Sequence, residues 1–157
     1  MKAVPVKFLL NPLHLLSLGM GAGYVPKLPG TAGTLVGVLL YLIVSDLAWQ
    51  YYVILVLVLF VVGIGLCEYT TRKLQVDDHP AIVWDEIVGY LVTMMFAPTG
   101  WIWAGSGFIL FRLFDIWKPW PIRLIDKQIK GGLGIMADDL VAGIFSLTII
   151  QVFVYIL

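Results

Sequence analysis

Long apolar runs, broken at a few polar positions, set the plan of this chain. The first run extends from about Leu35 to Ala48, and Asp46 with Trp49-Gln50 marks a tight turn before the second, Tyr51 to Cys67. A polar connection, Glu68 to Ala81, closes on Asp77-Asp78-His79-Pro80. The third run begins at Ile82 and continues to Ala97; Pro98-Thr99-Gly100 then turns the chain into a fourth, Trp101 to Trp117. Lys118-Pro119-Trp120-Pro121 must break that helix, because proline lacks the amide donor and clashes with the preceding turn. A polar, basic connection through Gly131-Gly132 leads to a fifth run that reaches Leu157. About 20 apolar residues cross a bilayer as a helix. The pattern therefore predicts an all-α, polytopic helical membrane protein with about five apolar segments, some of them short.

The lead-in, residues 1–29, is different in kind. Phe8-Leu9-Leu10 follows Lys2 and Lys7 as in a signal peptide, but Asn11-Pro12 and His14 interrupt it at once, so a short helix in the membrane interface is expected instead. Gly19 to Pro26 is too glycine-rich for a helix interior. Pro29-Gly30-Thr31-Ala32-Gly33-Thr34 then opens the first long helix, with Thr31 or Thr34 as the expected N-cap.

Composition sharpens this reading. Of 157 residues, 61% are hydrophobic and 13% charged, against about 25% charged in soluble domains. One membrane-embedded domain, residues 1–157, accounts for the length. The net charge of zero argues against general nucleic-acid binding. Cys67 is the single cysteine, so there is no disulfide framework, and in its apolar run it reads as a small buried hydrophobe. Lysine and arginine are one-sided. Lys2, Lys7 and Lys27 precede the first run, Arg72 and Lys73 follow the second, and Lys118, Arg123, Lys127 and Lys130 follow the fourth. The turns around Asp46 and Thr99 carry none, so the positive-inside rule places the lead-in and both longer connections in the cytoplasm.

Three charged clusters interrupt the apolar runs: Asp85-Glu86, Arg112 to Lys118 around Asp115, and Asp138-Asp139. A carboxylate in a lipid-compatible helix costs several kcal/mol unless it is paired, metal-bound or facing water. All three clusters fall towards the cytoplasmic face. Asp85 shares a helix face with Gly89, and Asp139 with Gly143, so another helix or a ligand can come close beside each acid. Carboxylates in excess of nearby cations suit magnesium, which takes oxygen ligands and keeps waters and phosphate oxygens, while Arg112 and Lys118 offer positive charge to a phosphate. Blander readings stand beside these. Arg112 and Asp115 are spaced to form an internal ion pair, as are Glu68 and Arg72. Asp138-Asp139 suits a helix N-terminus, Asp77-Asp78 a solvated loop, and His14 an interface histidine. Lys127 and Lys130 suit solvent or lipid headgroups, and Trp101, Trp103, Trp117 and Trp120 suit interfacial anchors. The Pro29-Gly30-Thr31 loop lacks the lysine of a phosphate-cradling loop, which leaves Thr31 as a substrate-binding candidate only.

The motifs PGTAGTL (29–35), DDHPAIVWDEIVG (77–89), FRLFDIWKPWPI (111–122) and GGLGIMADDLVAG (131–143), with NPLHLLSLGMGAG (11–23), closely resemble the phosphatidylglycerophosphatase A family of bacterial inner-membrane lipid phosphatases. The resemblance covers nearly the whole chain. It implies magnesium-dependent removal of the terminal phosphate of phosphatidylglycerophosphate, giving phosphatidylglycerol and inorganic phosphate. It maps Asp78, Asp85, Glu86, Asp115, Asp138 and Asp139 as acidic site residues, all but Asp115 as metal candidates and all but Asp78 as catalytic ones. Arg112, Lys118 and Arg123 become phosphate partners. Water attack and an aspartyl-phosphate route both remain open. The rival classes are a magnesium-dependent headgroup transferase, whose aspartate-rich spacing is missing here, and a small transporter, which favours midplane charges and internal repeats.

Overall fold

The computed structural model describes residues 4–156. Lys2 and Leu157, which enter the reading above, lie outside them. Every regular element among the described residues is helical: α1 Pro12–Ser17, α2 Pro29–Val44, α3 Trp49–Leu74, α4 Trp84–Thr93, α5 Trp101–Trp117, α6 Ile122–Gln128 and α7 Gly131–Ile156, with short 3₁₀ turns at Val6–Leu10 and Gly19–Tyr24.

Several boundaries differ from the apolar runs, each for a local reason. Helix α2 starts at Pro29, where the missing amide donor costs nothing. Thr31 and Thr34 therefore lie inside the helix and do not cap it, and the Thr34 hydroxyl donates to the Gly30 carbonyl at 2.9 Å. Helix α3 carries on through Glu68 to Leu74, aided by the expected ion pair of Arg72 Nε with Glu68 Oε1 at 2.6 Å. Glu68 Oε2 accepts the Gly132 amide at 2.8 Å, satisfying an N-terminal donor of α7, so Gly131-Gly132 opens that helix. Asp138 and Asp139 consequently sit two turns inside α7; they do not cap its N-terminus. The third run is the largest departure. Only Trp84–Thr93 is helical, about 15 Å of rise, half a hydrocarbon core.

Two helices, α3 and α7, are long and apolar enough to cross a membrane, while α2 is apolar but shorter. The count of about five apolar crossings thus reduces to two full-length candidates. Their outer faces are apolar. Ile54, Leu57, Val58, Val61 and Val62 of α3 are exposed, as are Leu35, Leu39 and Ile43 of α2 and Val152, Phe153 and Ile156 of α7. Exposed apolar area on this scale marks a surface meant for lipid or a partner. Trp101, Trp117 and Trp120 project at the two ends of α5, whereas Trp103 is half-buried.

Short α4 lies at the centre, packed on α2, α3, α5 and α7. Its residues Ile87 to Thr93 are all buried. A helix that stops inside a packed bundle leaves carbonyls that water cannot reach. Neighbours satisfy them: Tyr52 Oη donates to the Leu91 carbonyl at 2.9 Å, Gln151 Nε2 reaches the Met95 carbonyl at 3.3 Å, and the amide of Met95 returns to Val92 at 3.1 Å. The approach of α7 to α4 depends on glycine. A methyl group built on Gly143 would lie 2.6 Å from the Gly89 carbonyl, and one on Gly89 would lie 3.0 Å from the Asp139 carbonyl. The face-sharing expected of Asp85 with Gly89 and of Asp139 with Gly143 is thereby realised.

The lead-in packs inward more than an interfacial helix would. His14 is buried, its Nδ1 is 2.9 Å from the Thr70 hydroxyl, and Phe8 stacks on its ring at 4.1 Å. Ser17 joins the same Thr70 hydroxyl at 2.7 Å. His14 thus ties α1 to α3 as a core residue. Val6, Leu10, Leu13 and Met20 remain exposed and keep the outer side apolar. Cys67 is a buried free thiol beside the Met136 sulfur, as expected of a small hydrophobe.

Candidate functional site: an acid-lined cavity at one end of the bundle

The N-terminus of α4, the C-terminal end of α5, α6 and the first turns of α7 meet around a cavity of about 200 Å³. Its wall carries eight carboxylates (Asp77, Asp78, Asp85, Glu86, Asp115, Asp126, Asp138 and Asp139) and three lysines, Lys118, Lys127 and Lys130. The three charged clusters of the sequence therefore converge, as do the basic connections, at one end of the molecule. At the opposite end, Ser45, Leu47 and Trp49 meet Met94 to Ala97 around a second, smaller hollow.

Within the cavity, Asp85, Glu86 and Asp139 each bring one carboxylate oxygen within 4.8 Å of the others. The cluster follows from the fold. Asp85 and Glu86 occupy the first turn of α4, where the helix dipole favours negative charge, and the Gly89–Gly143 contact brings Asp139 alongside. Among the described residues, four buried carboxylate oxygens have no hydrogen-bond partner: Asp85 Oδ1, Glu86 Oε2, Asp138 Oδ1 and Asp139 Oδ2. Leaving even one such charged acceptor unsatisfied is expensive. Three of the four belong to Asp85, Glu86 and Asp139, whose convergence gives the kind of donor set that suits a hard cation with oxygen ligands.

Two cations are built into the wall. Arg112, in α5, pairs with Asp115 one turn on, lies 4.0 Å from Glu86 Oε1, and reaches the Thr34 hydroxyl at 3.5 Å. The Arg112–Asp115 ion pair expected from the spacing is present, and Asp115 also faces the cavity. Room for the guanidinium comes from Gly30 of α2, where any side chain would collide with Glu86 and Arg112. The PGTAGTL glycines, Gly30 and Gly33, are packing positions: Gly33 abuts Val83, and one turn on, past the motif, Gly37 abuts Ile87. Lys118 caps α5 in a left-handed conformation (φ 46°) and turns its ammonium between Asp126 at 2.8 Å and Asp138 at 2.6 Å. Burial works against that charge, but the two carboxylates outweigh it and push the Lys118 pKa up, so the ammonium stays protonated.

The expected residues separate into two groups. Asp78, Asp85, Glu86, Asp115, Asp138, Asp139 and Lys118 line the cavity, and Arg112 stands directly behind Glu86 and Asp115. Thr31 and Arg123 do not line it. Thr31 is half-buried in the first turn of α2, and Arg123 is exposed on α6, beside Trp117 and Trp120. Asp77, read as a solvated loop residue, is at the rim. Asp126 was not among the expected acids. Its one sequence signal is an acid in an otherwise basic connection, eight residues after Lys118.

The chain matches the family model described as Phosphatidylglycerophosphatase A over residues 15–154. It is 45% identical to the phosphatidylglycerophosphatase A of Escherichia coli K12 over 137 residues, 87% of this chain and 80% of that protein. The Haemophilus influenzae phosphatidylglycerophosphatase A is 42% identical over 144 residues, covering 90% of this chain and 88% of its own length. A Bacteroides thetaiotaomicron protein, named provisionally as a phosphatidylinositol-3-phosphatase, is 34% identical over 150 residues, 88% of this chain and 91% of its own. No solved structure matches the chain.

Proposed function

The chain belongs to the phosphatidylglycerophosphatase A family, and from that premise we propose that it hydrolyses the terminal phosphate of phosphatidylglycerophosphate, with magnesium, in phospholipid biosynthesis. It is a phosphatase. The observation that carries the chemistry is the set of four unpartnered carboxylate oxygens beside Lys118. Eight carboxylates against three lysines would repel a phosphate dianion, so a substrate of that charge needs a divalent ion in the wall. Asp85, Glu86 and Asp139 would hold magnesium, with Asp78 and Asp138 on the same wall. Bound there, it supplies charge neutralisation and polarises the phosphate oxygens.

The chain's own groups supply the rest. Lys118, charged and half-buried, offers a hydrogen-bond donor to a phosphate oxygen at the mouth. Asp138 has Oδ2 engaged by Lys118 and Oδ1 without a partner, so Oδ1 is placed to take a proton from the attacking water. The water oxygen bonds to phosphorus, the bond to the glycerol oxygen breaks, and that oxygen leaves as a hydroxyl with a proton from solvent at the open end. Arg112 keeps Asp115 and Glu86 in position. The expected result with purified protein is phosphate release from phosphatidylglycerophosphate that stops in excess chelator and returns with magnesium, with calcium a poor substitute because its shell is larger and looser. Full activity in excess chelator would remove the metal from this reading.

Orientation belongs to the same proposal. The acid cavity shares its end of the bundle with the basic connections, which supports an inner-membrane protein with that end in the cytoplasm. Single cysteines at Lys73 and Thr99 in a Cys67→Ser background are expected to label from opposite sides of the membrane. Labelling from one side would overturn the topology.

A further inference from the structure

A shallow open hollow adjoins the acid cavity, lined by Trp117, Pro119, Trp120, Arg123 and Leu124, and the two share Lys118 and Lys127. Its chemistry is the reverse of its neighbour's. It contains no carboxylate. Among the described residues Arg123 and Lys127 have no ion-pair partner, whereas Lys118 and Arg112 are already committed to acids. Trp117 and Trp120 are 69% and 80% exposed, a high solvent cost for two indoles unless they rest at a lipid interface. An unpaired guanidinium that lines the same hollow as two exposed indoles suits an anion at headgroup depth.

We propose that this shelf binds the phosphodiester of the lipid whose terminal phosphate occupies the acid cavity. The inference rests on the function proposed above and adds a specificity site to it. Phosphatidylglycerophosphate carries two phosphates of different kinds, a terminal monoester and an internal diester, joined through a glycerol. The two hollows offer matching chemistry side by side: oxygen ligands for a metal-assisted monoester reaction in one, and metal-free cationic recognition of a singly charged diester in the other. Lys118, which meets the monoester at the mouth, and Lys127 lie on the shared border, where the linking glycerol would pass. Arg123 is a positioning and specificity residue, away from the reacting atoms, and this accounts for its place outside the acid cavity.

The test uses the full-length protein in mixed micelles of a neutral detergent, with Arg123→Gln and Arg123→Lys. Two competitors separate the hollows: phosphatidylglycerol keeps the diester and lacks the monoester, and inorganic phosphate enters the acid cavity alone. Arg123→Gln is expected to raise the KM for phosphatidylglycerophosphate and the inhibition constant of phosphatidylglycerol together, each about tenfold, as expected for one lost charge-assisted contact. The inhibition constant of phosphate should move less than threefold, and Arg123→Lys should recover part of the loss. Parallel shifts for both competitors would show a general electrostatic field and overturn the shelf; so would no shift in either. Wild-type protein inert towards phosphatidylglycerophosphate would instead overturn the proposed function, and the shelf with it.

Discussion

Asp139→Asn and Asp85→Asn are each expected to lower turnover at saturating magnesium by at least 10²–10³-fold, the usual cost of losing one electrostatic stabiliser. The substitution keeps shape and removes the charge that would hold the proposed divalent ion. The protein should still accumulate and insert. These carboxylates lie together without enough cations around them, and an amide in the same place is cheaper to bury than an unpaired carboxylate. Asp138→Asn should be as damaging for a second reason, since it also removes a negative charge 2.6 Å from the Lys118 ammonium. Asp46, exposed at the other end, provides the control, and Asp46→Asn should be nearly silent. Phosphate release and membrane-fraction abundance, measured on the same preparations, check this. Wild-type turnover in Asp85→Asn and Asp139→Asn at normal abundance would make the acids structural.

The second large effect is one of packing. Gly143→Val is expected to prevent accumulation of folded protein, because the added atoms would meet the Gly89 carbonyl and the Val92 side chain. Ordinary overpacking costs about 1–3 kcal/mol. Backbone cannot rotate away as a side chain can, so the cost should exceed that range and rival a marginal total stability of about 5–15 kcal/mol. Any rescue by separating α4 from α7 would pull Asp139 away from Asp85 and Glu86, so surviving protein should also be inactive. Gly65→Ala and Gly105→Ala give the contrast. Nothing lies within 4 Å of a methyl group at either position, and alanine is the better helix former by roughly 1 kcal/mol. Detergent thermal denaturation should rank Gly65→Ala and Gly105→Ala at or above wild type. An unchanged melting temperature for Gly143→Val would contradict the close crossing.

The acids were legible in the sequence because Asp85-Glu86 and Asp138-Asp139 interrupt runs in which a lone carboxylate is too costly to keep without a use. Local pairs were legible as well: Glu68 with Arg72 and Arg112 with Asp115 follow from helical spacing alone. Hidden features depend on contacts between distant residues. Nothing in Ile82 to Ala97 distinguishes a full crossing from a ten-residue helix, since the reason it can stop at Thr93 lies in Tyr52 and Gln151. The start of α7 depends likewise on Glu68, which accepts the amide of Gly132, 64 residues away. Gly30 and Gly33 resemble a loop motif until α4 is set against them. Asp126 becomes a site residue only when the chain folds back to Lys118, and a basic connection gives no hint of which lysines remain unpaired.

The half-length α4 also governs which lipids can be reached. Below Asp85 and Glu86 the middle of the bundle is solid, filled by Ile87, Tyr90, Leu91 and Phe111, and Tyr41, Tyr52 and Tyr90 pack edge to face beyond them. The cavity is therefore closed off from the far end of the bundle. With the bundle placed in the membrane as proposed, a headgroup in the leaflet on that side would enter, and one in the opposing leaflet would be stopped short of the acids by the tyrosine plug. In sealed vesicles with the protein inserted in one direction, the reaction should consume the near-leaflet pool and then stall at the pace of lipid flip-flop. Puncturing the vesicles with detergent would release the remainder.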